Sequence, residues 1–482
     1  MPDIALATFN ARYEHASLGL RCLMANLGAL AGRASLHEFT LDTRAAEAAE
    51  ALLAGDPKIV GLGVYVWNAR ESAALAAELK AIRPGLLVVM GGPEAGHGGR
   101  AAVAADYVIR GEGEKAFPVL CARLLAGERP EGGLIEAEPP DLAALELPYS
   151  LYTDADLAGR LVYTEASRGC PFGCEFCLSS LDRTVRYFPL ERLFAAWQVL
   201  LDRGLLRFKF TDRTFNLDMD RAAAVLNFFL ERYRPGLFLH FEMVPDRFPE
   251  ELLALVKKFP AGSLQLEIGL QTFDPAVAAR IGRRQDCAAA GRNVARLRAE
   301  TAAYIHADLI AGLPGEDEAA FAAGFDRLYA LRPHEIQVGI LKRLPGAPIA
   351  RHDAGFRMVY SPEPPYEVRS TSVLDFPAVQ RLRRFARYWD LVANSGLFPE
   401  TAARLCAGPS PYAAFMKFSL WLHARTGRTC AISRAALRTA CAEYLSSELG
   451  LPAAEAAAMT DRDALKAHKA ARAGAARQDR RA

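Results

Sequence analysis

The chain has 482 residues, which suggests two to four domains, each able to bury a core. Its formal charge of +2 gives no global preference for nucleic acid or a membrane surface, and no run of about 18 apolar residues predicts a membrane span. Nine cysteines, an odd number, argue against a disulfide scaffold and for a reducing cytoplasm. Residues 1–10 are strand-like and lack the basic-then-apolar layout of an export signal, so none is expected.

Residues 1–140 alternate strand and helix. Short apolar runs at 3–9, 35–41, 58–65, 86–90 and 107–109 read as strands. The third is nearly all apolar, as a parallel strand buried on both faces should be. Between them, 17–30 has helical spacing, with Leu18, Cys22, Leu23, Leu27 and Leu30 on one side. Thr43 can cap a helix through 53, and another helix over 68–82 stops before Pro84. This alternation predicts a Rossmann-like, doubly wound parallel sheet. Ligands bind such sheets beyond the carboxyl ends of the strands. The loops there are 10–17, 65–68, 91–98 and 111–114, and they hold most of the segment's glycines and polar residues. Residues 141–160 carry no long period and read as a linker.

Residues 161–360 repeat a strand–helix unit. The strands fall at 161–166, 207–211, 237–243, 264–270, 305–311 and 335–341, with helices such as 190–203 and 221–233 between them. Six repeats predict a partial (β/α)6 barrel, whose active residues sit at the carboxyl ends of its strands. At the end of the first strand stands Ser167-Arg168-Gly169-Cys170-Pro171-Phe172-Gly173-Cys174-Glu175-Phe176-Cys177. A structural zinc would need a fourth ligand nearby, but the next histidine is His240 and the next cysteine Cys287. Three buried structural thiols are a second reading. Three thiolates suit an iron–sulfur cluster with one iron left open. Pro171 fixes φ, and Gly169 and Gly173 permit close backbone approach. Residues 361–482 read as a helical extension, with helices over 379–395, 411–425 and 433–449. Ser433 is a cap and Gly450 a stop. Tyr388 and Trp389 read as core, and the Ala/Arg-rich 465–482 as a frayed, solvated tail.

The cysteine motif resembles that of the radical S-adenosylmethionine (SAM) enzymes. The resemblance implies a 4Fe-4S cluster on Cys170, Cys174 and Cys177, with the open iron chelating SAM. Phe176 matches the family's aromatic before the last cysteine. Asp212 stands where the family receives the SAM amino group, and Glu267 where it meets the SAM ribose or carboxylate. Asp308-Leu309-Ile310-Ala311-Gly312-Leu313-Pro314-Gly315-Glu316 resembles a signature whose backbone contacts the adenine, placing Asp308, Gly312 and Leu313 there. Helix capping by Asp212 and a purely structural turn at Gly312 are the alternatives.

The first segment resembles the cobalamin-binding domain joined to one class of these enzymes. The matching pieces are Gly61-Leu62-Gly63-Val64-Tyr65, Gly91-Gly92-Pro93-Glu94 and Arg110-Gly111-Glu112-Gly113-Glu114. By resemblance Gly91, Gly92, Glu94, Gly111 and Glu112 line the corrin and its nucleotide tail. Histidine-on cobalamin proteins carry Asp-x-His-x-x-Gly. Here Glu14-His15-Ala16-Ser17-Leu18-Gly19 spaces the histidine differently, so base-off cobalamin without a histidine ligand is expected. Tyr65, Trp67 and Asn68 are candidates for the lower face of the corrin, and His15 and His97 read as polar loop residues. The alternative is a Rossmann-like domain that binds nothing.

The chemistry the resemblance implies is methyl transfer to an unactivated carbon. One SAM methylates cobalt(I), a second yields the 5′-deoxyadenosyl radical, and the substrate radical takes the methyl group. It also implies a reductase such as flavodoxin or ferredoxin, and an unnamed substrate. Neither a membrane nor nucleic acid is expected as a partner. Rival readings are a non-methylating rearrangement or cyclisation, a tRNA methylthiotransferase, and a noncatalytic electron-transfer scaffold. A methylthiotransferase would carry three further cluster cysteines upstream, where this chain has only Cys22 and Cys121.

Overall fold

The computed structural model describes residues 2–99 and 104–479. Six strands form one parallel sheet in the order β2-β1-β3-β4-β5-β6. They are β1 (Ile4–Asn10), β2 (Ala34–Thr40), β3 (Ile59–Gly63), β4 (Leu87–Gly91), β5 (Tyr107–Arg110) and β6 (Leu134–Glu136). The sequence reading missed β6, whose three half-exposed residues are too few to show a period. All seven residues of β1 are buried, as a central parallel strand requires. Helices α1 (Leu18–Ala25), α2 (Ala45–Leu53), α3 (Ala69–Ile82), α4 (Pro93–Gly96) and α5 (Gly113–Leu125) connect the strands. Leu52 and Leu75 of α2 and α3 pack on one face of the sheet. Leu20 and Phe117 of α1 and α5 pack on the other, so the sheet is doubly wound. The winding order reverses at β1, which lies between β2 and β3, and such a switch point is where ligands bind beyond the carboxyl ends of the strands.

Two local expectations are corrected. Thr43 does not cap α2. Its hydroxyl accepts from Thr40 N at 3.3 Å and closes the preceding turn, while Arg44 holds the cap position. The helix expected over 17–30 ends at Ala25. The Asn26 amide turns back to Cys22 O and across to Glu146 O, and Gly28 then takes φ +56°.

The linker carries a short helix, α6 (Asp154–Gly159), and four charges fasten it to the first domain. Arg21 lies 2.8 Å from Glu38 and 3.1 Å from Asp156, and Arg160 lies 2.7 Å from Glu38 and 3.0 Å from Asp156. None of the four side chains is more than 11% exposed.

The second sheet is a six-stranded partial barrel in the sequential order β7 to β14, with two ribbon strands outside it. Its strands are β7 (Val162–Thr164), β10 (Arg207–Phe210), β11 (Phe238–Met243), β12 (Leu264–Gln271), β13 (Tyr304–Ala311) and β14 (Glu335–Ile340). β7 is shorter than expected because the chain leaves the sheet after Thr164 to form β8 (Ser167–Arg168), which pairs antiparallel with β9 (Arg186–Tyr187). β12 shows the alternation that builds the site. Leu264, Leu266, Ile268 and Leu270 are buried against the helices, while Gln265, Glu267, Gly269 and Gln271 face inward. The register aligns Glu242, Glu267, His306 and Glu335 across four strands, so the lumen carries a level of ionisable groups.

The C-terminal helices α13 (Phe376–Trp389), α14 (Pro399–Leu405), α15 (Pro411–Thr426), α16 (Arg434–Ser447) and α17 (Ala453–Asp479) follow the barrel helices, which end with α12 (Glu318–Ala330). For this numbering α7 (Leu190–Asp202), α8 (Met219–Glu231), α9 (Glu250–Val256), α10 (Pro275–Arg280) and α11 (Cys287–Glu300) are the helices between. Tyr388 and Trp389 are buried, and Phe325 of α12 meets Trp389 edge-to-face at 4.9 Å. The segment expected to fray is helical through Asp479; residues 480–482 lie outside the described residues. Among the described residues no helix is long and apolar enough to cross a membrane.

Candidate active site

The cysteine loop hangs from the β8–β9 ribbon. Gly169 has φ +91°, and a Cβ there would lie 2.1 Å from Thr184 O, so no larger residue fits. Cys170 N donates to Asp182 O at 3.2 Å and Glu175 N to Ile281 O at 2.9 Å, tying the loop at both ends. Cys170, Cys174 and Cys177 line one chamber of about 170 Å³, together with Phe176, Glu267 and Asp308. Burial pushes the Cys170 and Cys174 thiols up, and the Arg283 guanidinium, 3.5 Å from Cys174 Sγ, opposes this at Cys174. Among the described residues no three His, Cys, Asp or Glu side chains close on a single-ion position. Three thiols around a chamber fit a polynuclear cluster better than a closed zinc site.

Glu267 reaches the chamber and meets His240 Nε2 at 2.9 Å. Burial alone would raise its carboxyl, but His240 and His306 hold it at about 2. The inward charge of Glu267 is thus answered by a histidine of the neighbouring strand β11. Asp308 also reaches the chamber, 2.9 Å from His306 Nε2. Burial lowers His306, yet Asp308, Glu335 and Glu267 outweigh it and bring it to about 8. His306 therefore contributes stability in full below its ordinary value of 6.5 and loses that contribution as pH rises through about 8. The melting temperature of the wild type minus that of His306→Gln is expected to be larger at pH 6 than at pH 9. A difference that does not shrink over that range contradicts the ion-pair network.

Three other expected SAM contacts lie elsewhere. Asp212 is 2% exposed and accepts from Ala166 N at 2.9 Å and Ser167 Oγ at 2.5 Å. Ala166 and Ser167 lie where the chain passes from β7 to β8, so the carboxylate braces the start of the cysteine loop instead of facing the chamber. It is not a helix cap either; Asp218 caps α8. Gly312 has φ +88°, and a Cβ would meet Val368 Cγ1 at 2.6 Å. Leu313 is fully buried, so this turn packs against the neighbouring segment and does not line the chamber. Asp212's neighbour Arg213, which the sequence reading did not select, lines it and pairs with Glu242 at 3.2 Å.

A second chamber, about 250 Å³, opens at the carboxyl ends of the first sheet. Gly91, Gly92, Gly111, Glu112 and Tyr65 line it. A Cβ on Gly91 would make one ordinary contact, with Ile109 O at 3.8 Å. Asn68 is not a wall residue. It is fully buried, donates to Phe9 O at 2.9 Å and Gly63 O at 3.1 Å, and accepts from Tyr65 N at 2.7 Å. It pins the loop that presents Tyr65 and Trp67. Glu94 is also buried, turned by α4 toward Tyr366, whose hydroxyl it accepts.

A third chamber, about 440 Å³, lies between the two sheets. Tyr65 and Trp67 stack in its wall with centroids 4.4 Å apart and planes 5° apart, and Trp67 is half exposed. His15 also borders it, with Nδ1 2.8 Å from the Tyr163 hydroxyl. His97 packs instead against Gly346. Arg213 and Glu242 line both the first and third chambers, and Gly19 and Tyr65 line both the second and third. The three spaces thus share walls in series, from the cysteines to the first sheet.

A model of the B12-binding domain matches residues 4–121, and one of the radical SAM superfamily matches 164–328. Residues 354–473 match a family of proteins of unknown function. An uncharacterised methyltransferase of Pyrococcus horikoshii is 28% identical over 257 residues, covering 47% of this chain and 54% of that protein. The cobalamin-dependent radical SAM methyltransferase TokK of Streptomyces tokunonensis is 32% identical over 167 residues, 29% of this chain and 24% of TokK. The chain thus spans about half, or less, of the length of these relatives. The structure of the radical SAM methyltransferase TsrM from Kitasatospora setae, with cobalamin and a [4Fe-4S] cluster bound, superposes with a TM-score of 0.64. The match covers 98% of this chain and 100% of that one at 18% identity, a likeness of fold.

Proposed function

From the premise that this chain joins a B12-binding domain to a radical SAM domain, we propose that it is a cobalamin-dependent radical SAM methyltransferase acting on an unactivated carbon. The observation that carries the reading is the series of chambers sharing walls between the three cysteines and the glycine-lined end of the first sheet. When bound, the cluster supplies the electron that cleaves SAM, and cobalamin supplies the methyl carrier.

The chain's own residues then have separate tasks. Cys170, Cys174 and Cys177 hold the cluster, and Arg283 donates to the Cys174 sulfur. Glu267 and Asp308 face the same chamber and offer carboxylates to the ammonium or hydroxyls of SAM. The flat Tyr65–Trp67 stack would lie against the lower face of a corrin. Gly91, which lines the second chamber and carries no side chain, would let the nucleotide tail approach the backbone. A reductase such as flavodoxin or ferredoxin delivers the electron.

The test is anaerobic reconstitution with iron and sulfide, titration with hydroxocobalamin, then SAM with dithionite. Tight cobalamin without histidine hyperfine coupling, together with 5′-deoxyadenosine and S-adenosylhomocysteine, is the expected result. Deoxyadenosine without cobalamin binding sinks methyl transfer through cobalt. No deoxyadenosine from cluster-loaded protein sinks the reading altogether.

A further inference from the structure

We infer that Arg168 is a positioning residue that couples filling of the glycine-lined chamber to the setting of the cysteine loop. The inference rests on the reading above, in which that chamber takes the cobalamin tail and the loop holds the cluster. Arg168 stands two residues before Cys170 and lines the glycine-lined chamber itself. Its guanidinium meets three carboxylates. Nη1 lies 2.6 Å from Glu112, and Nη2 lies 2.7 Å from both Glu114 and Glu165.

Glu112 and Glu114 belong to the loop after β5 and the first turn of α5, while Glu165 lies between β7 and β8. One side chain therefore joins the two domains at the point where each meets a chamber. Arg186, the register partner of Arg168 across the β8–β9 ribbon, also grips Glu112. The ribbon that closes the cysteine loop thus holds the tail loop through two guanidiniums. Arg168 is 13% exposed and Glu114 only 6%, so solvent screens these contacts little.

A ligand pressing on the Gly111–Glu114 backbone shifts Glu112 and Glu114, and their hydrogen bonds carry Arg168 and Gly169 with them. A planar guanidinium fixes the direction of such a link; a lysine keeps the charge but loses the fork. Coupling between two sites is reciprocal, so the cluster must alter cobalamin affinity by the factor by which cobalamin alters cluster affinity.

Hydroxocobalamin is titrated by absorbance into wild-type protein with and without its reconstituted cluster. The dissociation constant should be tighter in the loaded protein by about fivefold or more, the usual lower end for coupled sites. Cobalamin should also shift the EPR signal of the reduced cluster. In Arg168→Met the ratio of dissociation constants should fall to about 1 and the EPR shift should vanish, with Arg168→Lys between. Glu114→Gln, which leaves Arg168 in place, should lower the ratio as well and guards against a fold defect in the arginine variant. A ratio of 1 in the wild type, or an unchanged ratio in Arg168→Met, overturns the coupling while cobalamin still binds. Absence of cobalamin binding in the wild type overturns the underlying functional reading instead.

Discussion

Cys174→Ala is expected to lose iron and to lower reductive SAM cleavage by a factor on the order of 10³ or more, with hydroxocobalamin still bound. Cys174 is the most buried of the three thiols and the one that accepts from Arg283. Without it two thiolates remain for a cluster that needs three from this chain. The glycine-lined chamber shares no residue with the cysteine chamber and should keep its ligand. Through Arg168 its affinity should loosen to that of the cluster-free wild type and no further. Iron assay, deoxyadenosine yield and cobalamin titration on one preparation decide the matter. Loss of both cofactors from a folded variant contradicts the separation of the sites.

Gly92→Ala should produce the converse phenotype. Gly92 has φ +100°, and a Cβ there would sit 2.5 Å from the backbone oxygen of Val64. Neither atom belongs to a flexible side chain, so β3 and β4 must move apart at their ends. Backbone strain of about 1–3 kcal/mol adds to that overlap, for a total of about 3 kcal/mol or more. Gly98 is also at positive φ (+82°), but a methyl group there would meet nothing within 4 Å, so it isolates the strain from the overlap. Gly98→Ala should cost about 1 kcal/mol. Cobalamin affinity should fall at least tenfold in Gly92→Ala with iron content unchanged, and equal effects of the two substitutions on melting temperature would remove the steric argument.

The reach of the sequence differed between backbone and side chains. Apolar runs and glycine-ended strands revealed both parallel sheets, because burial on two faces leaves a plain pattern. The cysteine spacing located the first chamber for a similar reason: few residue types bind iron, and three stood within one loop. Polar residues at strand ends were harder. Asp212, Asn68 and Glu94 sit where a ligand contact was expected, yet each turns to a group of the protein itself. Asp212 and Asn68 satisfy backbone groups left unpaired where strands end, and a carboxylate or amide awaiting a ligand has the same one-letter code. Arg168, Arg213 and Arg283 escaped selection for the opposite reason. Their reach is long, and nothing local separates them from the many arginines on helix surfaces.

The knot of Arg21, Glu38, Asp156 and Arg160 has a consequence for how this sequence can drift. Its two cations and two anions balance, and each cation meets both anions. Loss of any one leaves a buried charge without its counterpart, at a cost of about 3–5 kcal/mol, a large share of the stability of an ordinary domain. Replacement of an oppositely charged pair by apolar residues of similar volume can be close to neutral. The permitted route through sequence space is therefore a double step. Descendants of this chain should either keep all four charges or exchange them in matched pairs, so that positions far apart in the sequence change together.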